Sequence, residues 1–563
     1  MKHLEGKHMT RIVFTTMALC VSSQALAQTH QVSTTQELRD AVSQANPGDR
    51  ILLADGTYRL DDRLRIDRPG TLAEPIVIEA VNMHQARIEV NTIEGIVWSA
   101  AHWQMEGLHF KGVCGTPGDC EHALHIVADA DGLVIRHNVF EDFNAQIKGN
   151  GVQQSDGTFL MPDDVLIEAN EFFDNAARPT SAPVTKIDVV GGSNWTVRGN
   201  FIHDFAKAEG NQISYAAFLK GKSTGGVFER NLVACEALHS GQIRLGLSFG
   251  GGGTGDQFCP GGTCTPEHSD GVMRNNIIAK CPADVGIYLN KSANTLIESN
   301  TLYDNSGIDI RFDSSDAILR HNLITGRIRE RDGGLITAAT GNLVQLSNQD
   351  FDDFFLNPAA LDFTLVDGSM FVDRVISPTP THDFCGQPRQ PNAMDIGAIE
   401  YLTPTPCDTS TIPPTVMMTT PGEDMGGMPS EDMGSMGEDM ALDMSMPGED
   451  MALDMNQAQD MDGAVEDMSA PSQQDMSTSP LADMSSPEQD MSLPGQPIDQ
   501  EDEGCTIAAS PGHSRGGRPA TTLLLVGLVI GLLRRRRATT RPKTIQDTTR
   551  SSSNPKHASP QER

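Results

Sequence analysis

The chain has 563 residues, with 42 Lys and Arg against 75 Asp and Glu, for a formal net charge of −33. About two-thirds of that charge lies in residues 404–504, which contain no Lys or Arg. The acidity therefore belongs to one segment, leaves open what a folded domain binds, and gives no reason to expect a nucleic-acid partner.

Lys2, Lys7 and Arg11 precede an apolar stretch from Ile12 to about Val21, and Ala25-Leu26-Ala27 supplies small residues before Gln28. This pattern predicts a secretory signal peptide over 1–27 and places the rest in an oxidising compartment. Gln36 to Val42 predicts a short amphipathic helix that caps the open end of a solenoid. Asn46-Pro47-Gly48-Asp49 turns the chain, and Arg50 to Tyr58 begins the first coil.

A short phrase then recurs: an apolar pair, a polar residue, Asn and another apolar residue. It appears around Asn138, Asn170, Asn200, Asn231, Asn276, Asn300 and Asn322. The spacings of 24 and 22 residues from Asn276 to Asn300 to Asn322 match one coil of a right-handed parallel β-helix. Gaps of 30 to 45 residues read as one coil plus an inserted loop, where function is to be sought. Asn tolerates the left-handed turn conformation, and stacked Asn side chains hydrogen-bond along such a coil. The fold class is therefore all-β, a single-stranded parallel β-helix over 28–403 of roughly a dozen coils.

Cys114 and Cys120, and Cys259 and Cys264, are close enough in sequence to close small loops. Cys235 with Cys281 and Cys385 with Cys407 are the natural remaining pairs, although spacing leaves the connectivity open. Residues 404–504 repeat Glu-Asp-Met in a background of Pro, Ser and Gly and predict a disordered stalk. Cys505, a polar spacer, the apolar run Ala520 to Leu533 and Arg534 to Arg537 follow, with a basic tail over 538–563. Fourteen apolar residues span only roughly 21 Å, short of a hydrocarbon core. The segment 505–537 resembles the C-terminal surface-sorting tags of myxobacterial type, which implies attachment outside the outer membrane; a plain membrane anchor is the alternative.

The opening of the solenoid carries a second resemblance. Ala-x-x-x-Ala-x-Pro-Gly-Asp ending at Asp49, then Ala54-Asp55-Gly56-Thr57-Tyr58 and Glu74 to Ala80, resembles the start of secreted β-helix polysaccharide lyases of the chondroitinase B and alginate lyase kind, with their pectin-lyase-like fold. Asp395 to Tyr401 resembles the close of such domains. Leu219-Lys220-Gly221-Lys222-Ser223, with Asn231 nine residues after Lys222, is similar to the lyase motif that carries the base. The resemblance implies that Lys222 is the base and Arg244 its assistant. The 22-residue offset reads as one coil, which puts the two on adjacent strands about 4.8 Å apart. β-Elimination from a uronate requires such a pair, a base of lowered pKa and a cation that stabilises the enolate-like charge.

Lys220, His239 and Tyr215 are the candidate substrate-binding groups beside that pair. The lyase family also holds calcium with acidic residues five and seven positions before the Lys, and here those positions are Ala217 and Tyr215. Calcium is therefore left open, with Asp188 and Glu209 as the material for a shifted site. Lys148, Asp284, Tyr288, Asp309 and Arg311 occupy equivalent places in their coils and extend one polar groove. The glycines 250–253 and 255 read as a flexible loop over that groove, and Glu267-His268-Ser269-Asp270 as a loop rim. The expected function is a secreted, surface-tethered lyase of acidic polysaccharide; the alternative is a non-catalytic carbohydrate-binding or adhesive protein.

Overall fold

The computed structural model describes residues 27–401 and 407, apart from 252, 367, 369 and 378. Residues 1–26 of the expected signal peptide 1–27, nearly all of the expected stalk 404–504, the expected sorting segment 505–537 and the tail 538–563 lie outside the described residues. Among the described residues no helix is long and apolar enough to cross a membrane.

Three parallel sheets run the length of the fold. Sheet I has twelve strands, from Thr29–Val32 to Leu335–Thr340; sheet II has ten, from Gly56–Leu60 to Leu323–Ile324; sheet III has ten, from Leu64–Ile66 to Arg327–Arg331. Each coil gives one strand to each sheet, as Val134–Arg136, Val139–Glu141 and Ala145–Asn150 do. Inward residues stack in register between coils. Ile135, Ile167, Val197, Phe228, Met273, Ile297 and Leu319 form one such column in sheet I, all fully buried. Phe110, Phe140 and Phe172 stack face to face at 5.0 Å in sheet II. The predicted cap is present as the helix Thr35–Gln44, which buries Leu38, Ala41 and Val42 and begins in a capping box between Thr34 and Glu37.

The recurrent Asn residues form one ladder at the corner between sheets I and II. From Asn170 through Asn322 to Asn342, each side-chain oxygen accepts from the backbone N–H and the side-chain amide of the Asn one coil earlier, starting at Asn138, at 2.8–3.1 Å. The equivalence of these seven positions is borne out, and Asn342 adds an eighth. The left-handed residue, however, is the one before each Asn: His137, Ala169, Gly199, Arg230, Asn275, Ser299, His321 and Gly341. That conformation costs a non-glycine residue about 1–2 kcal/mol. The ladder offsets it by satisfying corner groups that no sheet can reach.

Among the described residues four disulfides are formed: Cys114–Cys120, Cys235–Cys281, Cys259–Cys264 and Cys385–Cys407. Beyond the last coil the chain folds back. Phe351, Phe354, Phe355, Phe363 and Phe371, with Ile396 and Ile399, pack on Leu232, Ile277, Ala279, Tyr303 and Leu323 of sheet II. The outward side of sheet II is thereby covered at its later coils, and Asp395 to Tyr401 closes the domain there.

Replacing Asn200 with Leu is expected to strand the Asn170 N–H and the Ile167 carbonyl in a buried corner. At about 1–3 kcal/mol per orphaned group, the loss is about 2–6 kcal/mol. Urea denaturation of the full chain measures it as a fall in midpoint, and an unchanged midpoint would remove the ladder from the stability argument.

Candidate functional site

Sheet III bends at one level in two of its coils. Ala123 and Leu124 are consecutive and both enter the core, as do Ala216 and Ala217. Residues three apart, His122 and His125 or Tyr215 and Phe218, then both face outward. The outward level after the bend is one continuous row. Backbone register joins His125 to Lys148, Asp188, Phe218, Ser248, Tyr288, Asp309 and Arg329 in turn. At about 4.8 Å per strand the row extends roughly 34 Å along the solenoid axis.

Its early half is a charged cluster. The His125 ring nitrogens lie 2.6 Å from Glu94 Oε1 and 2.6 Å from Asn150 Oδ1. Lys148 Nζ donates to Asp188 Oδ1 at 2.9 Å. Burial pushes the Asp188 carboxyl up, but Lys148 and Lys220 outweigh it and hold it below the usual carboxylate range. Lys220 sits one strand further on, its ammonium 4.5 Å over the Phe218 ring. Burial lowers its pKa against the pull of Asp188, and Lys148 adds to the lowering. Burial also brings His122 down to about 4, with His125 and Lys148 contributing, so its ring is neutral near pH 7. In the later half, Arg311 Nη1 donates to the Tyr288 hydroxyl at 3.4 Å, and Asp309 holds Arg329 and Arg331.

The glycine loop lies against this row. A Cβ on Gly251 would stand 3.0 Å from Lys220 Cδ and 3.6 Å from Phe218 Cδ1, so the glycine permits the close approach. The loop is tied down by Cys259–Cys264, by Lys222 Nζ donating to Pro260 O at 2.7 Å, and by Glu267 Oε2 accepting from Thr254 and from the Gly221 N–H. Glu267 and His268 are buried; the expected loop rim is an interior corner, with His268 stacked on Phe249 at 4.1 Å.

The geometry does not unite Lys222 with Arg244. Register pairs Arg244 with Ser214, 30 residues earlier, so one coil here is longer than the 22 residues between the two. Lys222 lies eight residues past Ser214, beyond the strand end and after the left-handed Gly221, roughly 20 Å along the sheet. Arg244 is fully buried and clasps the preceding loop, donating to Gly241 O, Cys235 O and His239 O and meeting His239 Nδ1 at 3.0 Å. The other His239 nitrogen is 3.1 Å from Asp174 O. Tyr215 faces outward in an apolar cluster with Leu245, Val285 and Tyr288, where burial raises its phenol pKa. Lys220 belongs to the row's second level, register partner of Val190, and not to a face shared with Lys222.

Ala217 is in the core and Tyr215 is a protonated phenol, so the two positions that would carry the acidic pair do not fit calcium. Asp188 is taken by Lys148, and Glu209 is exposed. No group of three or more His, Cys, Asp or Glu side chains suited to a metal occurs among the described residues.

Of the expected groove, Lys148, Tyr288 and Asp309 share the row and Arg311 lies one outward step on, while Asp284 sits in the preceding turn. Sequence reasoning missed His125, Phe218 and Arg329. A signal for them existed: wherever no loop intervenes, a row residue stands 12 or 13 positions before the next ladder Asn, as His125 before Asn138 and Arg329 before Asn342. Lys222, at nine, falls past the strand.

Residues 32–146 match the sequence profile of chondroitinase B, and residues 256–353 match that of the right handed beta helix region. No curated protein sequence matches the chain. Among solved structures, the fold is similar to an alginate lyase from Paenibacillus sp. str. FPU-7, at 14% identity over 56% of this chain and 95% of that one, with a TM-score of 0.31. It is similar to pectate lyase Pel9A at 14% identity over 67% and 97%, TM-score 0.37. A lacto-N-biosidase from Eubacterium ramulus shares 12% identity over 57% and 68%, TM-score 0.39. The fold is a right-handed parallel β-helix.

Arg244→Ala is expected to leave the Cys235 and His239 carbonyls without their buried donor and to lower stability by about 2–5 kcal/mol. Urea titration reads this directly, and a variant as stable as the parent would return Arg244 to the list of groups held for chemistry.

Proposed function

We propose that the outward face of sheet III binds an extended acidic polysaccharide along the solenoid axis and cleaves it by β-elimination. The observation that carries this reading is the row from His125 to Arg329, which sets His125, Lys148 and Arg329 with the carboxylates Asp188 and Asp309 along one line. Lys220 is the proton acceptor, since burial lowers its pKa below the ordinary lysine value. Its amine takes the proton on the carbon next to the uronate carboxylate. The C–H electron pair becomes the new C=C, and the sugar oxygen leaves with a proton from water. Lys148 spends one of its three N–H donors on Asp188, and the others face the carboxylate on which charge develops.

Secretion and surface attachment belong to the same proposal. Four disulfides support an oxidising compartment. The second reading, a non-catalytic binding or adhesive protein, is favoured by one observation, the loss of the acidic pair at Tyr215 and Ala217.

Incubating the full chain with alginate, chondroitin, pectate and hyaluronan is expected to produce the absorbance of unsaturated uronate with at least one of them. Lys220→Ala should then lose about 10²–10⁴-fold in rate. The parent's kcat/KM should rise with pH through a limb below the ordinary lysine value of 10.5, because the base must be deprotonated, and that limb should vanish in the variant. Full activity in Lys220→Ala would end its assignment as base. No new absorbance with any polymer would favour the binding protein.

A further inference from the structure

The last strand of sheet III, Arg327–Arg331, places Arg327, Arg329 and Arg331 at alternate positions on its outward face. Arg311 joins them from the preceding strand, as the register partner of Arg331. Asp309, only 1% exposed, accepts from Arg329 Nε at 2.6 Å and Nη2 at 3.0 Å and from Arg331 Nη1 at 2.8 Å. One buried carboxylate thus orients two guanidinium groups whose side chains stay 42% and 41% exposed, and it balances only one of their charges. Arg311 is paired with Asp332. Asp284 is pushed toward its neutral form by burial and by Asp309. Arg327 is exposed and has no ion pair among the described residues.

Arg327 and Arg329 border an open recess of about 420 Å³, lined also by Ser306, Thr325, Gly326 and Gln345. Hydroxyl and amide groups beside guanidinium forks suit a sugar that bears an anion, because the fork meets two oxygens of a carboxylate or sulfate at once while the neutral donors meet its hydroxyls. We infer that this recess is a separate anion subsite, holding one carboxylate or sulfate substituent of a glycan that runs along the row. The inference rests on the polysaccharide reading and adds that binding is gated by charge at the terminal coil, well away from Lys220.

The alternative role for these arginines is structural, as charges that guard the exposed edge of the last coil. Arg327→Gln separates the two, since Arg327 has no ion pair to lose. The full chain and this variant would be compared by fluorescence anisotropy with end-labelled oligosaccharides of chondroitin sulfate and alginate and with an uncharged mannan oligosaccharide, at low and high salt. The parent should bind an anionic oligosaccharide more tightly than the uncharged one, with the difference shrinking at high salt. Arg327→Gln should weaken only the anionic binding, by about tenfold or more, at an unchanged melting temperature. Equal binding by parent and variant, equal binding of charged and uncharged oligosaccharides, or no anionic binding by the parent overturns the subsite. An Arg327-dependent affinity found without any unsaturated product supports the subsite while the lyase reading fails.

Discussion

The structure depends on one corner. A solenoid with three sheets must turn the chain three times per coil, and each turn takes backbone amides and carbonyls out of the sheet ladders while leaving them buried. At the corner between sheets I and II the answer is a side chain that copies the backbone. The Asn amide donates to a carbonyl of the coil before and accepts from the peptide N–H stacked on it, so the ladder continues through the turn in side-chain form. Every ladder Asn except the terminal Asn342 is fully buried, so any replacement with another hydrogen-bonding geometry leaves polar groups stranded. The preceding residue takes the left-handed conformation, and the chain accepts that strain at His137, Arg230 and His321, where no glycine is present.

Fixing that corner fixes everything downstream of it. Because successive corners superimpose, residues at equal distances from them superimpose too, and a linear array of side chains arises along the axis without any further device. Insertions such as the hairpin Val152–Gln153 with Phe159–Leu160 and the glycine-rich loop leave the register intact, since they follow strands of sheet III and return to the next corner. A long groove is thus inexpensive for this architecture, whereas a compact three-dimensional site is not. The sheet II face is lost to the C-terminal segment over its later coils, while sheet III keeps its outward row from His125 to Arg329.

The charged groups show how burial sorts similar residues into different roles. Arg244 and Lys222 hold different loops and neither faces the row: one is a buried clasp on Cys235, the other a tether on Pro260. Lys220, two residues before Lys222, is turned over Phe218 by the alternation of the strand. The like charge of Lys148 and the opposite charge of Asp188 then act on an amine that burial has already disfavoured as a cation. Lys186 is an interior counterpart, fully buried with Asp174 at 2.6 Å and brought down to about 8 by burial against the pull of that carboxylate.

Much of the fold was legible in the sequence, because its organising contact is made by one residue type at nearly regular intervals. The Asn phrase, the helical cap, the turn after it and the cysteine spacings are local signals, and each reports a local physical need. The site was less legible. Lys148, Tyr288 and Asp309 could be aligned by coil position, but Lys222 and Arg244 were matched by counting residues, and the count assumed a coil of 22. In this stretch the coil is 30 residues, because loops lengthen it, and a shift of a few positions moves a side chain from strand to corner. The sequence by itself determined that the chain winds and where each coil turns, since buried amides must be satisfied wherever the backbone leaves a sheet. Only the tertiary structure decided which side chains share the outward row and which are buried clasps, since that depends on inserted loops and on a bend in sheet III that no single coil reveals.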